Sequence, residues 1–420
     1  MIAAGSDTTW CTWRDLLPAD RSFVSIPSRR SPVIVAERDG AVLSYVRAAL
    51  LATPPRSTVP GWVFEAARQL LRVPGAWAVA PRHRPTTGRP EQPTRNNLSD
   101  WFADSRYRLV VLDHSHDPDR RFIFLLFPPG SADPSVAVKV ATCAASALRL
   151  DAERDRLRAI DGPALDAVNG TVPRLVAMDG DLPALATTAQ AGVPMLVTYH
   201  RMGHTRRRRR VRADFAAASS WLGTLQSMIV AGPERLDIAQ STVDAAQAQL
   251  ADTPSQLALV QIGLTTLRRR LRRHRTPRTI VHGDFWAGNI LVRDGAVSGV
   301  VDWERSEPAG APVRDLARFA VTYSLYLDRH SRPSARVAGH PGYIAGTPGG
   351  GVGYALEGTG WYPQLVHAFL DEGLSRLGLP ASLGPDLMLA ELAAIAAEAS
   401  DDAFAHEQWR TFGHLCERLR

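Results

Sequence analysis

Two carboxylates and an amide fall close together between residues 281 and 319 of the 420-residue chain. Asp284 and Asn289 lie on a stretch that Gly283 and Gly288 keep loop-like, and Ile290-Leu291-Val292 follows as a short strand. Asp294-Gly295 is a tight-turn pair. Residues 297–301 read as the returning strand, and Asp302 stands at its end. Such a hairpin folds Asp302 back beside Asn289, with Asp284 nearby. Hard oxygen donors of this kind suit Mg²⁺, which completes its shell with water and substrate phosphates. A metal-held phosphate next to a further carboxylate is a phosphoryl-transfer layout.

One cation stands out. Of the 49 basic residues only Lys139 is a lysine, and the other 48 are arginine. A general bias toward arginine accounts for the 48. A lysine that survives it points to a task needing a compact ammonium on a flexible stem, which a planar guanidinium cannot supply. Lys139 sits in Ser135-Val136-Ala137-Val138-Lys139-Val140, whose alternation reads as a strand.

These residues need elements to position them. Residues 107–112 and 122–127 read as two strands before the one carrying Lys139, with a turn at 113–119 between them. A helix follows over 148–160, with Leu150, Arg154, Leu157 and Ile160 at helical spacing and Glu153 one turn in. Antiparallel strands followed by one helix suggest a small α+β lobe. Upstream, residues 1–75 read as a small α/β unit, and 75–97, rich in Pro, Gly, Arg and Thr, as a linker or exposed loop. Beyond Val197 the pattern turns helical. Phe215, Ala218, Leu222, Leu225 and Ile229 mark one amphipathic helix. Thr253-Pro254 opens another, which ends in the basic stretch 268–278. The Gly- and Pro-rich stretch 333–360 reads as a surface insertion before helices resume.

Composition narrows the class. With 45% apolar and 22% charged residues the chain is neither disordered nor, lacking an apolar run of about 18–20 residues, membrane-spanning. Its start shows no basic segment followed by an apolar core, so no signal peptide is expected. Cys11, Cys143 and Cys416 are an odd, scattered set, which argues against a disulfide framework or zinc site and for a reducing cytoplasm. The sequence leaves the oligomeric state open.

Three segments together closely resemble the aminoglycoside phosphotransferase/choline kinase-like family, whose fold is that of the protein kinases. They are His282-Gly283-Asp284-Phe285-Trp286-Ala287-Gly288-Asn289-Ile290-Leu291, Val301-Asp302-Trp303-Glu304 and Pro312-Val313-Arg314-Asp315-Leu316-Ala317. With the Lys139 strand and the Glu153 helix, the resemblance spans residues 105–415. It implies an α+β, two-lobed fold: an N-terminal α/β extension and linker over 1–98, a small antiparallel-sheet N-lobe over 99–192 and a mainly helical C-lobe over 193–420. It implies ATP and Mg²⁺ as cofactors. The implied acceptor is a small-molecule hydroxyl of a sugar or glycoside, an aminoglycoside or another amino alcohol.

The resemblance also implies roles. Asp284 would orient the acceptor hydroxyl and take its proton. Asn289 and Asp302 would hold Mg²⁺ on the ATP phosphates. Lys139 would grip the phosphates, steadied by Glu153 in preference to Asp151 or Asp155, which fall on other helical faces. His282 and Asp315 would hold the loop, and Trp303 would pack. The interlobe linker would be residues 188–192, including Gln190, with backbone that binds adenine and side chains that do not separate ATP from GTP. There is no G-x-G-x-x-G between the first two strands. Ser115 is either a phosphate-binding hydroxyl in its place or part of a plain turn. A catalytically silent pseudokinase stands as the alternative function. Protein kinase activity is disfavoured, because no long segment ending in Ala-Pro-Glu follows Asp302.

The remaining charged features read more simply. The arginine run at 205–212 is a solvated loop and helix start, since no interleaved aromatics or nucleic-acid module accompany it. No nucleic-acid partner is therefore expected. Glu398, Asp401 and Asp402 either line the acceptor pocket or form a solvated helix end. Without a stronger acidic signal a sugar or glycoside is slightly favoured as acceptor. His200, His204, His282 and His406 share no zinc-ligand spacing.

Overall fold

Alternating apolar residues build the sheet on which the Lys139 strand lies. The structure, a computed structural model, describes residues 13–18, 20–28, 30, 32–51, 61–72, 77, 82–83, 106–113, 121–168, 170–178 and 183–418. Seven strands, β1 (Phe23–Pro27), β2 (Pro32–Glu37), β3 (Arg82–His83), β4 (Arg108–Leu112), β5 (Arg121–Phe127), β6 (Val136–Ala141) and β7 (Ala184–Thr188), join in the order β3-β1-β2-β4-β5-β6-β7. Every neighbouring pair is antiparallel. The strands of the N-terminal extension therefore share one sheet with the N-lobe, with Ile34 opposite Leu112. Without β2, β4 would present an unpaired edge, which a folded chain avoids by covering it.

Both faces of this sheet are buried. Phe23, Leu109, Val111, Phe122, Phe124, Val138 and Val140 fill one side. On the other, Val24, Ile34, Val110 and Phe127 pack with Val42 and Leu43 of α1 (Gly40–Tyr45). Asp39 caps that helix, accepting from the backbone N–H of Ala41 at 2.9 Å and of Val42 at 3.2 Å. Helix α2 (Gly61–Leu70) follows. Helix α3 (Ala144–Ile160) starts four residues earlier than its apolar spacing predicts, because the Ser146 hydroxyl accepts from the Cys143 N–H at 3.1 Å and caps the extra turn. Its buried stripe is Leu150, Glu153, Leu157 and Ile160. Arg154 lies off that stripe and donates to the Ala184 carbonyl at 3.0 Å.

The C-lobe holds β8 (Val193–Pro194), α4 (Met195–Tyr199), α5 (Arg208–Ser227), β9 (Ile229–Arg235), α6 (Gln240–Gln249), α7 (Pro254–Leu271), β10 (Arg275–Val281), β11 (Ile290–Arg293), β12 (Ala296–Val300), β13 (Glu307–Gly310), α8 (Val313–Leu325), α9 (Gly350–Glu357), α10 (Trp361–Arg376), α11 (Gly384–Glu398) and α12 (Asp402–Arg418). Its strands form two three-stranded sheets, β13-β10-β9 and β12-β11-β8. Among the described residues no single helix is long and apolar enough to cross a membrane.

Three local readings change. Ile229 is not on the α5 stripe: the helix ends at Ser227, and Ile229 opens strand β9, well exposed. Pro233 downstream cannot sit inside a continuing helix. The basic stretch 268–278 is likewise divided, with α7 ending at Leu271 and Pro277 lying inside β10. The stretch 333–360 is a surface insertion only in its first half: residues 333–348 are mostly exposed, with a few buried anchors, whereas 351–356 are packed. Tyr343 and Tyr354 are buried and stacked at 5.0 Å between ring centroids. Helix α9 approaches α8 so closely that a Cβ on Gly351 would lie 1.9 Å from the Ser324 carbonyl oxygen.

Candidate active site

The hairpin predicted around residue 295 forms, with Ile290 opposite Val300 in β11–β12. The Val301 N–H donates to the Asn289 carbonyl at 2.9 Å, so the chain enters Asp302 directly beside Asn289. Asp302 adopts φ 68°, a left-handed conformation uncommon outside glycine and tolerated by aspartate.

The loop carrying Asp284 is held from below by α8. Both oxygens of the buried Asp315 carboxylate accept backbone N–H bonds, from His282 at 2.7 Å and from Gly283 at 2.8 Å. The His282 Nε2–H donates to the Val301 carbonyl at 3.0 Å, and Nδ1 accepts the Asp284 N–H at 3.2 Å. The carbonyl can only accept and the amide can only donate, which fixes the neutral, Nε2-protonated tautomer. Burial lowers the His282 pKa against the opposing charge of Asp315, in keeping with that neutral form. Gly283, at φ +79°, has no room for a Cβ, which would lie 2.1 Å from the Arg305 carbonyl oxygen.

Asn289 Nδ2 donates at 3.0 Å to both the carbonyl and the carboxylate of Asp284. This orients the amide and leaves its Oδ1, a hard-oxygen donor, without a partner among the described residues. Burial raises the Asp284 pKa, with the nearby Arg318 guanidinium opposing it.

Facing the loop, Lys139 of β6 reaches both oxygens of Glu153 on α3 at 2.7 Å and Asp302 Oδ1 at 2.7 Å. Burial alone would lower the Lys139 pKa, but Asp302 and then Glu153 raise it. Burial likewise pushes Asp302 up, yet Lys139 and then Arg121 outweigh it and hold the carboxyl well below the usual range. Asp302 is therefore ionised wherever the protein is folded at ordinary pH. One oxygen each from Glu153, Asp302 and Glu304 lie within 4.8 Å of one another.

Two charged neighbours of these residues escaped the sequence reading. Arg121, at the start of β5, donates to Glu304 at 2.7 Å and stands 3.8 Å from Glu153 and 4.0 Å from Asp302. As one of 48 arginines it carried no signal. Arg318 lies one turn beyond Asp315 on α8, on the face that meets the loop, and that spacing was the signal available. Its Nε stands 3.6 Å from Asp284 and 2.8 Å from Glu391, and its Nη2 donates to the Gly283 carbonyl at 3.2 Å and to Glu398.

The remaining candidates are dispersed. Gln190 is buried on the link between β7 and β8, against Gly299, where a Cβ would lie 2.4 Å from its own Cβ. Ser115 lies outside the described residues. Asp151 and Asp155 are exposed and pair with Arg154 and Arg158. The acidic cluster near residue 400 is two separate features. Glu398 joins Arg305, Arg314 and Arg318, whereas Asp401 caps α12 by accepting from the Phe404 N–H at 2.7 Å.

Glu391 gives a stability signature. Burial, opposed by Arg318 and Arg314, pushes its carboxyl up to about 7 from an ordinary 4.5. Between those values the folded state keeps a proton that the unfolded chain has released, so stability falls as pH rises through the window, by about 3 kcal/mol. Glu391→Gln is expected to flatten that decline. Urea midpoints from pH 4.5 to 8 check this, and an unchanged slope in the variant would assign the decline elsewhere.

A small antiparallel sheet with one ion-paired helix, set against a helical lobe whose loop and hairpin carry Asp284, Asn289 and Asp302, is the protein-kinase-like fold. The sequence model of the phosphotransferase enzyme family APH matches residues 117–349, more than half of the chain. The chain belongs to that family. No curated protein matches it. Among solved structures, the streptomycin–ATP complex of APH(2'')-IIa aligns at 12% identity and TM-score 0.42, covering 74% of this chain and 90% of that one. Aminoglycoside phosphotransferase APH(4)-Ia aligns at 14% and 0.43, covering 74% and 92%. Amicoumacin kinase hAmiN, in complex with AMP-PNP, Ca²⁺ and Ami, aligns at 12% and 0.42, covering 74% and 92%.

Proposed function

We propose that this protein transfers the terminal phosphoryl group of ATP, in the presence of Mg²⁺, to a hydroxyl of a small molecule. The observation that carries the reading is Lys139 held at 2.7 Å by Glu153 and by Asp302 at once, opposite a loop that presents Asp284. A structural ion pair would need only one of those carboxylates.

The donor set fits Mg²⁺: the Oδ1 of Asn289 and the ionised Asp302 are the oxygens that would hold it. When bound, the ion neutralises charge on the phosphate oxygens. Lys139 grips those oxygens from the β6 side. Asp284 orients the acceptor hydroxyl and takes its proton as the new P–O bond forms and the bond to the ADP oxygen breaks. Burial makes Asp284 a stronger base than an exposed aspartate. A silent nucleotide-binding role would not need Asp284 fixed by Asp315, His282 and Asn289 together.

The charge around the loop favours a neutral ring as acceptor. Glu391 and Glu398 are already matched by Arg318, Arg305 and Arg314, so neither carboxylate is spare for a polycation. Half-buried Trp286 and Tyr326 stand 6.5 Å apart between ring centroids. Trp286 lies on the loop itself, and burial, against Arg329, raises the Tyr326 hydroxyl, with the Asp284 charge adding to the rise. Such faces suit stacking by a sugar ring. In an ADP-release assay, neutral sugars and glycosides are expected to give kcat/KM at least about tenfold above aminoglycosides, a difference of about 1.4 kcal/mol. The reverse order would overturn the acceptor class. ADP release with no alcohol in a broad panel would favour the silent alternative.

A further inference from the structure

The arginine run at 205–212 contains none of the residues assigned to nucleotide, metal or acceptor. It marks the start of α5, and Arg206 to Arg210 are exposed. Together with α2 it borders a concave cavity of about 610 Å³, lined by Arg68, Arg201, Arg207 and Arg210 with Glu65 and Asp214. Both acids are committed elsewhere. Glu65 pairs with Arg68 and accepts from Gln69 at 2.9 Å. Asp214 accepts at 2.7 Å from the Tyr323 hydroxyl and stands at 2.7 Å from His204.

Arg201, Arg207 and Arg210 thus have no carboxylate partner among the described residues. Arg201 is the most constrained. Its Nη2 donates to the Ala48 carbonyl at 3.0 Å, while its Nε is buried without a hydrogen-bond partner. Burial first, then Arg68, disfavour its charge; Glu65 across the cavity favours it, and Arg210 and Arg47 again disfavour it, so that burial and the cations outweigh the one acid. Arg47, which does not line the cavity, is likewise disfavoured by burial and by Arg72 and Arg68. Arginine cannot shed its proton to relieve such repulsion, so an anion placed among these groups would be favoured.

We infer that this cavity is a binding site for a small phosphorylated molecule, with its phosphate held by Arg201, Arg207 and Arg210. Several guanidinium groups lining one cavity match a dianion better than a single carboxylate, and forked N–H groups fit phosphate oxygens bidentately. The volume lies in the range of small-molecule sites, and no Phe, Tyr or Trp lines it for stacking nucleic-acid bases; the one lining imidazole, His204, is held against Asp214. Its wall includes Val193 of β8 and Val292 of β11, the strands that follow the interlobe link. An occupant would therefore tie α2 to the C-lobe beside that link.

The test is calorimetry on the full-length protein without Mg²⁺, using pyrophosphate, inorganic phosphate and ribose 5-phosphate as probes. Because Lys139 could also bind pyrophosphate, Lys139→Met is titrated in parallel. The expected result is equal pyrophosphate affinity in wild type and Lys139→Met, and at least tenfold weaker binding in Arg207→Gln/Arg210→Gln. Those two side chains are exposed, so the double variant is expected to fold. Tighter binding of ribose 5-phosphate than of pyrophosphate would support an organic ester as occupant, and the opposite order an inorganic one. Three results would overturn the inference: no binding by wild type, loss only in Lys139→Met, or single-stranded RNA binding tighter than any probe with the same arginine dependence.

Discussion

Asp284→Asn is expected to lower kcat by a factor on the order of 10²–10⁴ and to leave Mg·ATP affinity nearly unchanged. The substitution keeps size and shape. Asn289 Nδ2 retains its bond to the backbone carbonyl at residue 284, and the replacement amide oxygen can still accept its second one. The loop keeps Asp315 and His282 beneath it. What disappears is the basic oxygen that receives the acceptor proton. The groups on the nucleotide side, Lys139 and Asp302, are untouched, so binding and chemistry separate. The pH profile adds a check. Burial raises the Asp284 pKa, so kcat in the wild type should climb with pH through a value above that of an exposed aspartate, and the variant should lose that limb. If Asp284→Asn abolished nucleotide binding as strongly as Asp302→Ala, the two carboxylates would have exchanged roles.

The loop and its hairpin were legible because their chemistry is local. A glycine at φ +79°, a tight turn and a carboxylate at a strand end are all written within some twenty consecutive residues. Lys139 was legible for a different reason, since a lone lysine among 48 arginines is a compositional signal. Glu153 follows from helical spacing, because it shares the buried face of α3 with Leu150 and Leu157. What sequence could not give depends on distant packing. Arg121 meets Glu304 across a separation of 183 residues. Glu398 looked like part of an exposed acidic cluster until α11 brought it against Arg318 on α8. The N-terminal strands read correctly as strands, but nothing local says that β2 pairs with β4 rather than forming its own sheet. The helix predicted through Ile229 shows the same limit: spacing continued the pattern, and Pro233 with the partner strand β10 ended it.

Lys139→Arg is expected to reduce kcat/KM about 10²-fold or more, although the positive charge is kept, which is the scale of losing one preorganised charge stabiliser. The ammonium is small enough to sit 2.7 Å from both Glu153 oxygens and from Asp302 Oδ1. A guanidinium is longer and planar, and its donors point in fixed directions. To accommodate it, either Glu153 or Asp302 would have to move. Glu153 is fixed in the buried stripe of α3, and Asp302 is set by its left-handed backbone at the end of β12. The neighbouring space is already taken by Arg121, whose guanidinium spans Glu153, Asp302 and Glu304. A second guanidinium there would add like-charge repulsion to the steric misfit and pull Asp302 away from the Asn289 side. Mg·ATP affinity should therefore fall along with turnover, in contrast to Asp284→Asn. The measurement is kcat and KM for ATP, with Kd for Mg·ATP by calorimetry. Retained turnover in Lys139→Arg would mean that charge alone suffices at this position and that the single lysine is an accident of composition.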